Sequence, residues 1–421
     1  MRLKRDLVAL RQRLQERRAA GQVKQAGGWS VAGLEPGTFQ IAVYFADPPA
    51  HLYQLRQWFE SLRSLDQEHR VVVVVRRAKT ALALQTECPV PVVYAPNHHD
   101  IDPLMSTQPL RVVFYVNHNL RNFAMLWHPD VAHVYIGHGE SDKIGISASN
   151  QLKAYDYCFV SGQAAVDRIR NRLINYDVTT RVIEVGRPQV AALDAAAAGS
   201  SAAPTVHRTV RRTDRTVVLY APSWEGDRPA NNYGSLGSHG VAVVAALLAD
   251  QRYQLVFRPH PLTGSKDPKF SAAQQTVESM IQRANQQNPS AGHVYDRSSD
   301  FGWQLGVADV CVADISAVAY DWLATRKPLV VTQPVGVHVN ADPRGIAGRL
   351  TLLSQANAAH VTDALADAQS AESLALIDSL ATYYFGALDG PSAMQRWREA
   401  ISQVIAQRDH AVARRDGITS D

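Results

Sequence analysis

Residues 70–75 read Arg-Val-Val-Val-Val-Val, which is the clearest structural signal in the chain. A β-branched run without polar alternation predicts a strand that is buried on both faces, as in a parallel sheet covered by helices. Similar runs recur through the first half of the chain, with helical patterns such as 51–65 and 162–173 between them. The other strands predicted there are 39–46, 90–94, 112–116, 133–136, 157–160 and 181–185.

The alternation of strands and helices stops at residues 195–212, which are rich in Ala, Ser and Pro and then basic. This composition is typical of a linker. The alternation then resumes, and the chain is helical from about residue 356. The strands predicted in this half are 216–220, 254–257, 310–312 and 329–332, and the helices are 241–248, 272–288 and 317–324.

The pattern predicts an α/β protein of two Rossmann-like domains with parallel sheets and a helical C-terminal segment. A chain of 421 residues is long enough for two packed cores. The predicted units are a basic amphipathic helix (1–30), a first Rossmann-like domain (31–200), a second one (213–395) and a C-terminal helix (396–421).

The net charge of +4 is concentrated at the N-terminus, where residues 1–18 alone contribute +5 and the other 403 residues sum to −1. A body near neutrality does not predict nucleic-acid binding. The chain has only three cysteines, which argues against a disulfide framework and favours a reducing, cytoplasmic compartment.

The N-terminal helix carries a stripe of leucines at helical spacing, Leu3, Leu7, Leu10 and Leu14. A basic helix with one apolar stripe can lie on an anionic membrane surface, and it can equally pack on its own domain or on a partner helix. The apolar runs of the chain are far shorter than the ~20 residues that a membrane span requires. The N-terminus also lacks the pattern of a secretory signal.

Ligands of parallel sheets bind at the carboxyl ends of the strands, so polar residues directly after the predicted strands are candidates. Residues 137–143, Gly-His-Gly-Glu-Ser-Asp-Lys, follow one such strand. The glycines permit a tight turn that exposes His138, which can accept a proton near neutral pH. Glu140 or Asp142 is expected to orient the ring, and Lys143 to hold an anion. The alternative is a plain turn in which His138 bonds only to the backbone.

Residues 258–261, Arg-Pro-His-Pro, follow the strand 254–257. Two prolines fix the backbone, so Arg258 and His260 point in set directions. A guanidinium and an imidazole together suit a phosphate or diphosphate. The alternative is a structural turn with Arg258 in a surface ion pair.

Two further strand ends carry polar groups. Residues 314–321 open a helix with Asp314 and Ser316, which are good capping residues at a position that can bind an anion. On this motif alone, a plain helix cap is the better explanation. Residues 220–226, Tyr-Ala-Pro-Ser-Trp-Glu-Gly, place Ser223 and Trp224 near the same edge. Trp224 either closes over a base or packs locally.

Other features predict no metal and no cofactor. Residues 97–102, Asn-His-His-Asp-Ile-Asp, contain adjacent histidines, which rarely ligate one ion, so a surface loop on the acceptor side is expected. The phosphate-loop and dinucleotide-binding glycine motifs are absent from the sequence. The cysteines lie in apolar strands and are expected in the core.

These motifs, in this order and followed by Lys327-Pro328 and by Asp389, Gly390 and Ser392, resemble those of the CDP-glycerol glycerophosphotransferase family, the teichoic acid primases and polymerases. The resemblance covers about residues 131–398. It implies a GT-B-like arrangement of two Rossmann-like domains, with the nucleotide held by the second. The chain differs from the usual family pattern at Glu140 and Ser141, where Thr-Pro is common, and at Ala317, where a second Ser is common.

By resemblance, His138 is the general base, His260 with Arg258 holds the diphosphate, and Asp314 and Ser316 contact phosphate or glycerol. The full set of residues expected to bind substrate is Gly139, Lys143, Ser223, Arg258, Asp314, Ser316 and Asp321.

The expected reaction transfers glycerol phosphate, or a related polyol phosphate, from a CDP-alcohol to a hydroxyl of a lipid-linked or polymer acceptor, with release of CMP. The enzyme is expected at the inner face of the cell membrane, held by its N-terminal helix. Two alternatives remain open at this point, a sugar-nucleotide glycosyltransferase or epimerase on the same scaffold and a binding module with a decayed site.

Overall fold

The computed structural model describes residues 2–27, 30–142, 148–189, 210, 214–226, 228–298, 302–336, 339, 343–386 and 392–417. Two parallel sheets flanked by helices form the described part of the chain, which confirms the predicted fold class. No helix among these residues is long and apolar enough to cross a membrane.

The first sheet has seven parallel strands in the order β3-β2-β1-β4-β5-β6-β7. The five valines of β2 are fully buried, because helices cover both faces of the sheet. The strands are β1 (Ile41–Phe45), β2 (Val71–Val75), β3 (Val92–Tyr94), β4 (Val112–Tyr115), β5 (Ala132–Tyr135), β6 (Tyr157–Val160) and β7 (Val182–Glu184).

Short helices connect these strands. The predicted helix 51–65 is divided in two, and a separate helical turn precedes it at Pro49–His51. The helices are α1 (Arg2–Ala26), α2 (Tyr53–Arg56), α3 (Phe59–Leu65), α4 (Ala78–Leu84), α5 (Asp102–Thr107), α6 (Gln163–Arg172) and α7 (Val178–Arg181), and the other 3₁₀ turns are Val31–Gly33, His98–Asp100, Leu120–Ala124 and Asn150–Ala154.

The second sheet has six parallel strands in the order β10-β9-β8-β11-β12-β13. Its two edge strands were not predicted, because each has only two residues. The strands are β8 (Thr216–Ala221), β9 (Tyr253–Phe257), β10 (Val294–Tyr295), β11 (Val310–Ala313), β12 (Leu329–Thr332) and β13 (Leu352–Leu353).

The helices of this half include a π-helical turn, Leu236–Gly240, that leads directly into α8. The α-helices are α8 (Val241–Ala249), α9 (Pro268–Gln287), α10 (Trp303–Val307), α11 (Ala317–Leu323), α12 (Ile346–Arg349), α13 (Val361–Ala368), α14 (Ala371–Phe385) and α15 (Ala393–Arg415), and the 3₁₀ turns are Pro229–Asn231, Pro289–Ala291 and Gln355–His360.

The C-terminal helix α15 returns to the first sheet. Trp397, Ile401 and Val404 are fully buried in the core of that sheet, and the Trp397 ring lies 5.7 Å from the ring of Trp58. The preceding helix α14 packs in the core of the second sheet through Tyr384. The last two helices therefore link the two halves of the molecule.

The N-terminal helix α1 packs on the first half through its C-terminal part. Ala19 and Val23 are buried against the core, and the Glu16 carboxylate accepts a hydrogen bond of 2.6 Å from the Ala78 amide at the start of α4. Leu14, from the predicted leucine stripe, is 50% exposed.

Candidate active site at the facing strand ends

The turn after β5 presents His138 at the carboxyl end of the first sheet. Gly137 has a φ of +62°, in the left-handed region that glycine adopts without strain. The Trp58 indole N–H donates a hydrogen bond of 2.8 Å to the Gly137 carbonyl. Trp58, a residue of the core of the first half, thus stabilises the turn. This role was not predicted, because the helical pattern around Trp58 gives no sign of a hydrogen bond to residue 137.

The hydrogen bonding of His138 fixes its tautomer. Nδ1 lies 2.7 Å from the Val116 carbonyl oxygen, which only accepts, so Nδ1 carries the proton and Nε2 carries the lone pair. Burial lowers the pKa of His138 below its ordinary value, and the positive charge of Arg187 adds to this effect. The ring is therefore neutral near pH 7 and able to accept a proton at Nε2.

The expectation that Glu140 or Asp142 orients His138 is wrong. Both carboxylates pair with the buried guanidinium of Arg168, which lies on α6. Asp142 also accepts hydrogen bonds from the Tyr384 hydroxyl at 2.5 Å and from the Ile346 amide at 3.1 Å. The charged tail of the His138 turn therefore joins the two halves of the molecule, because its partners Tyr384 and Ile346 belong to the second half.

Tyr53 lies between the two candidate histidines. Its ring centroid is 6.1 Å from that of His138 and 6.5 Å from that of His260, edge-on in both cases. His138 follows a strand of the first sheet and His260 a strand of the second, so the two histidines approach each other across the cleft. The sequence contains no signal that singles out Tyr53 for this position.

His260 has the opposite tautomer. The Leu262 amide donates a hydrogen bond of 3.1 Å to His260 Nδ1, which leaves the ring proton on Nε2. The ring stacks on Trp224, with centroids 5.9 Å apart and planes at 17°. Trp224 thus packs on a candidate binding residue, and His260 presents an N–H donor rather than a base.

The loop that carries His260 is held by Glu225, a residue that was not predicted. Its carboxylate accepts hydrogen bonds from the amides of Gly264 (3.0 Å), Lys266 (2.6 Å) and Asp267 (3.1 Å). Burial works against the charge of this carboxylate, but the amides prevail and hold its pKa below the ordinary value. Glu225 therefore locks the His260 loop to the neighbouring Trp224 loop.

Arg258 pairs with a buried carboxylate rather than with a surface one. Its guanidinium contacts Asp296, which is fully buried, and the Ser298 hydroxyl at 3.2 Å. Burial opposes the charge of Asp296, yet Arg258 and hydrogen bonds from Ser298 and Gln304 hold the pKa of Asp296 low. The Arg258 side chain is thereby fixed at the end of β9, beside His260.

Asp314 is fully buried and organises the strand ends of the second sheet. Its carboxylate accepts hydrogen bonds from the Ser223 amide (2.6 Å), the Ser235 amide (3.0 Å) and the Thr332 hydroxyl (2.6 Å). Burial raises its pKa. These contacts make Asp314 a residue that positions the loops, and they place Ser223 in the same buried cluster.

Ser316 occupies the capping position of α11, but its hydroxyl makes no capping bond. The buried Oγ has no hydrogen-bond partner among the residues that the structure describes. Gly139 lies against the same helix start, because a Cβ built on Gly139 would be 3.3 Å from that of Ala317. The His138 turn and the start of α11 are therefore neighbours across the cleft.

Asp321, on α11, forms a buried ion pair with Arg187, which follows β7. This pair is a second link between the two halves. Lys143, Asp389 and Gly390 lie outside the described residues, so their predicted roles stay predictions.

A polar network centred on Asp47 lies in the first half, near Tyr53. The Asp47 carboxylate accepts hydrogen bonds from Asn117 (2.9 Å) and Asn119 (2.7 Å) and lies 3.4 Å from His51. Burial opposes its charge, but these partners hold the pKa of Asp47 low. The hydrogen bond to Asp47 raises the pKa of His51.

His98–Asp100 form a 3₁₀ turn capped by Asn97, with both histidines away from the core, while Ile101 is buried and Asp102 begins α5. In the described part of the chain no group of three metal-binding side chains comes together. A cavity of about 680 Å³ lies at the ends of β12 and β13, and another of about 340 Å³ is lined by His98, Arg121 and their neighbours. Neither cavity is lined by His138 or His260.

Two parallel sheets with polar strand ends facing across a cleft define a GT-B-like fold. The family described as CDP-Glycerol:Poly(glycerophosphate) glycerophosphotransferase matches residues 59–335, more than half of the chain. The chain belongs to this family and is a CDP-glycerol glycerophosphotransferase-like transferase. The match begins earlier than the predicted resemblance and ends before residues 389–392. No curated protein sequence matches the chain significantly.

Solved structures share this fold at low sequence identity. The wall teichoic acid polymerase TagF is 14% identical, with a TM-score of 0.56 and 95% of each chain covered. A protein from Listeria monocytogenes assigned as a UDP-N-acetylglucosamine 2-epimerase is 14% identical, with a TM-score of 0.60. The alignment covers 88% of this chain and 98% of the Listeria protein. A glycosyltransferase from Rickettsia africae is 12% identical, with a TM-score of 0.52 and coverage of 88% and 99%.

Proposed function

We propose that the enzyme transfers glycerol phosphate, or a related polyol phosphate, from a CDP-alcohol to a hydroxyl of a lipid-linked or polymer acceptor and releases CMP. The observation that carries this proposal is that His138 and His260, which both contact Tyr53, have opposite tautomers. His138 offers a lone pair at Nε2, and His260 offers an N–H at the same atom. His138 can therefore accept a proton from the acceptor hydroxyl, while His260, on the facing strand end, can donate a hydrogen bond to an anionic donor.

In the proposed reaction the acceptor oxygen attacks the β-phosphorus of the CDP-alcohol. A new O–P bond forms, the bond between the β-phosphorus and the bridging oxygen breaks, and CMP leaves with that oxygen. His138 Nε2 takes the proton of the attacking hydroxyl. His260 and Arg258 stabilise the charge that develops on the diphosphate, and preorganised donors of this kind contribute about 3–4 kcal/mol each to transition-state stabilisation.

The other predicted binding residues enter the proposal in two ways. The buried hydroxyl of Ser316 has no partner among the described residues, and Gly139 lies against Ala317, the next residue, which supports a contact between this helix start and the donor. Ser223, Asp314 and Asp321 are buried and paired, which supports a positioning role for them. Lys143 is proposed as an anion-binding residue on its sequence position alone.

Turnover of CDP-glycerol tests the proposal. We expect CMP release with a suitable acceptor, and its near loss in His138→Ala and His260→Ala while circular dichroism stays unchanged. The exposed His99 is a matched control, and His99→Ala should turn over normally. Wild-type turnover in both site variants would refute the assigned roles.

A second candidate is a sugar-nucleotide glycosyltransferase or epimerase, because the structural neighbours include both kinds of enzyme on this fold. A donor panel separates the two functions. Hydrolysis or epimerisation of UDP- or GDP-sugars with CDP-glycerol inert would favour the second candidate. The family match and a TagF structure soaked with CDPG support the first.

We also propose that the enzyme acts in teichoic acid synthesis at the inner face of the membrane, with α1 lying on anionic lipid. The basic residues of 1–18 support this placement. The contacts of Glu16, Ala19 and Val23 with the body show where α1 is anchored, so residues 2–13 can be removed without disturbing them. Unchanged vesicle binding after this truncation would refute a membrane role for α1.

A further inference from the structure

His51 and Asp47 form a histidine–carboxylate pair just after β1, close to the candidate active site. His51 Nδ1 lies 3.4 Å from Asp47 Oδ1. The Asp47 side chain is only 13% exposed, whereas that of His51 is 46% exposed. A largely buried carboxylate therefore holds an imidazole that is open to solvent.

The Asp47 carboxylate has other donors besides His51. The amide groups of Asn117 and Asn119 donate to Asp47 Oδ2 at 2.9 Å and 2.7 Å, which leaves Oδ1 for His51. The Thr80 hydroxyl donates a hydrogen bond of 2.8 Å to the Asp47 backbone carbonyl. Because these groups already fix Asp47, the fold does not require His51 for this purpose, and an ion pair of such exposure adds little stability.

The pair fixes the direction and the charge of the His51 ring. Nδ1 faces Asp47, so Nε2, at the opposite edge of the ring, faces away from the carboxylate. Nε2 makes no hydrogen bond within the described part of the chain. The hydrogen bond to Asp47 raises the pKa of His51 above 6.5, whereas burial lowers that of His138. Between these two pKa values His138 is neutral and His51 carries a positive charge.

His51 also lies near the proposed base. Gln54 accepts a hydrogen bond of 2.6 Å from Asn117 and donates one of 3.2 Å to the Tyr53 hydroxyl. The network that holds His51 thus also holds Tyr53, whose ring contacts that of His138. Burial is the main cause of the low pKa of His138, and the positive charge of His51 adds to it, so the two rings are within electrostatic range.

The charges around His51 favour an anionic ligand. Three groups from neighbouring segments interact electrostatically with the pair, namely Arg121, His138 and the phenol of Tyr53. Of these only Arg121 is charged near pH 7. When His51 is protonated, the two cations outweigh the single carboxylate of Asp47. A protonated imidazole is a strong hydrogen-bond donor to a phosphate oxygen.

We propose that His51 binds a phosphate group of the acceptor, so that the acceptor is a phosphate-bearing polyol rather than a neutral one. This inference rests on the proposed function, in which His138 takes the proton of the acceptor hydroxyl. The diphosphate of the donor has its own candidate groups on the second sheet, Arg258 and His260. His51 belongs to the first half, as His138 does, and is therefore assigned to the acceptor.

Acceptor preference tests the proposal with two probes of similar size. Glycerophosphoglycerol is a phosphodiester whose negative charge does not change near neutral pH, and diglycerol is an uncharged counterpart. The quantity measured is kcat/KM of each acceptor in CMP release from CDP-glycerol. We expect the wild type to prefer glycerophosphoglycerol, and His51→Gln to lower this preference about tenfold through a higher KM. A purely structural role of His51 would lower both values and leave their ratio unchanged.

The pH profile gives a second readout. His51 is charged below its raised pKa, so the preference for glycerophosphoglycerol should weaken as the pH rises through that value. His51→Lys keeps a positive charge and should retain the preference without this loss. His360→Gln is the matched control, because His360 is an exposed histidine 3.7 Å from Asp363 in the second half. Its acceptor preference should equal that of the wild type.

NMR of the histidine rings in the full chain detects the contact without turnover. Saturating glycerophosphoglycerol should raise the pKa of His51, because a bound anion stabilises the charged ring. An unchanged His51 pKa, or an unchanged preference in His51→Gln, would overturn the proposal. A higher KM for CDP-glycerol with an unchanged acceptor preference would also overturn it and assign His51 to the donor. If the His51 pKa responds to the phosphodiester while CDP-glycerol is inert, the proposed function fails and the phosphate site remains.

Discussion

The chemistry at the scale of single residues depends on where two imidazole protons lie. The carbonyl of Val116 and the amide of Leu262 impose opposite tautomers on His138 and His260. The bond to Val116 cannot be read from the sequence, because it comes from the end of a neighbouring strand. The bond from Leu262 is local, but it depends on the backbone conformation of the His260 loop. The strand-end positions of both histidines were nonetheless predicted, since parallel strands place their carboxyl ends at one edge of each sheet.

The first prediction concerns the pH dependence of the proposed base. Burial lowers the pKa of His138 from the ordinary 6.5, so the ring loses its proton at a lower pH than a free histidine does. We expect kcat/KM for CDP-glycerol to be constant around neutral pH and to fall as the pH drops through a midpoint below 6.5. Steady-state CMP release across a pH series measures this midpoint.

The matched variant is His138→Gln, which keeps a polar side chain of similar reach. We expect a loss of roughly 10²- to 10⁴-fold in kcat, with the acid limb abolished. A variant that retains the wild-type pH profile would show that another group is the base.

At the scale of elements, the structure shows how loops from both sheets are fastened. Asp314 ties the loops after β8 to β12, and Glu225 ties the loop after β8 to the one after β9. These carboxylates accept backbone N–H groups, so they act as structural links at the edge where substrate is proposed to bind.

The second prediction separates the structural role of Asp314 from direct substrate binding. Asp314→Ala leaves two buried amides and a hydroxyl without their acceptor, which should lower the free energy of unfolding by about 3 kcal/mol or more. Asp314→Asn keeps an acceptor oxygen and should recover most of that loss. Urea unfolding of both variants measures the difference. If Asp314→Ala is as stable as the wild type but loses donor affinity, the carboxylate binds substrate directly.

The third prediction concerns the contact between α12 and the His138 turn. A Cβ on Gly345 would lie 1.7 Å from Asp142 Oδ2 and 2.6 Å from the Tyr384 hydroxyl, so Gly345→Ala must displace this buried network. We expect a loss of about 1–3 kcal/mol in unfolding free energy, together with reduced turnover.

Gly21 provides the control, because a Cβ there meets nothing within 4 Å. Gly21→Ala in the interior of α1 should raise stability by up to about 1 kcal/mol. Equal thermal stability of the two variants would contradict the packing described at Gly345.

At the scale of the whole molecule, the sequence predicts the elements better than it predicts their contacts. Strands such as β2 and β12 were predicted within a residue, because buried valine runs mark them. The partners of Asp142 were not predicted, since Tyr320 and Tyr384 are 178 and 242 residues away. Contacts that join two sheets depend on how whole layers pack, which no local pattern encodes.

The Arg187–Asp321 pair is the clearest case, because it connects the two halves and also acts on His138. Its guanidinium carries one of the positive charges that disfavour protonation of that ring. Removing one partner leaves a buried charge without its counterion. We therefore expect Arg187→Met or Asp321→Leu to lower the free energy of unfolding by about 3–5 kcal/mol. The double variant should recover much of this loss, as apolar replacements of buried pairs often do.

The last prediction follows from the sign of that charge. When Arg187 is replaced by Met and Asp321 by Leu, protonated His138 is no longer repelled by Arg187. Its pKa should then rise toward 6.5, while burial still keeps the pKa below that value. The acid limb of kcat/KM should therefore move to higher pH. The pH series of CMP release on the folded double variant measures the shift. An unchanged midpoint in a double variant of normal stability would show that the link between the halves holds the cleft together without tuning its base.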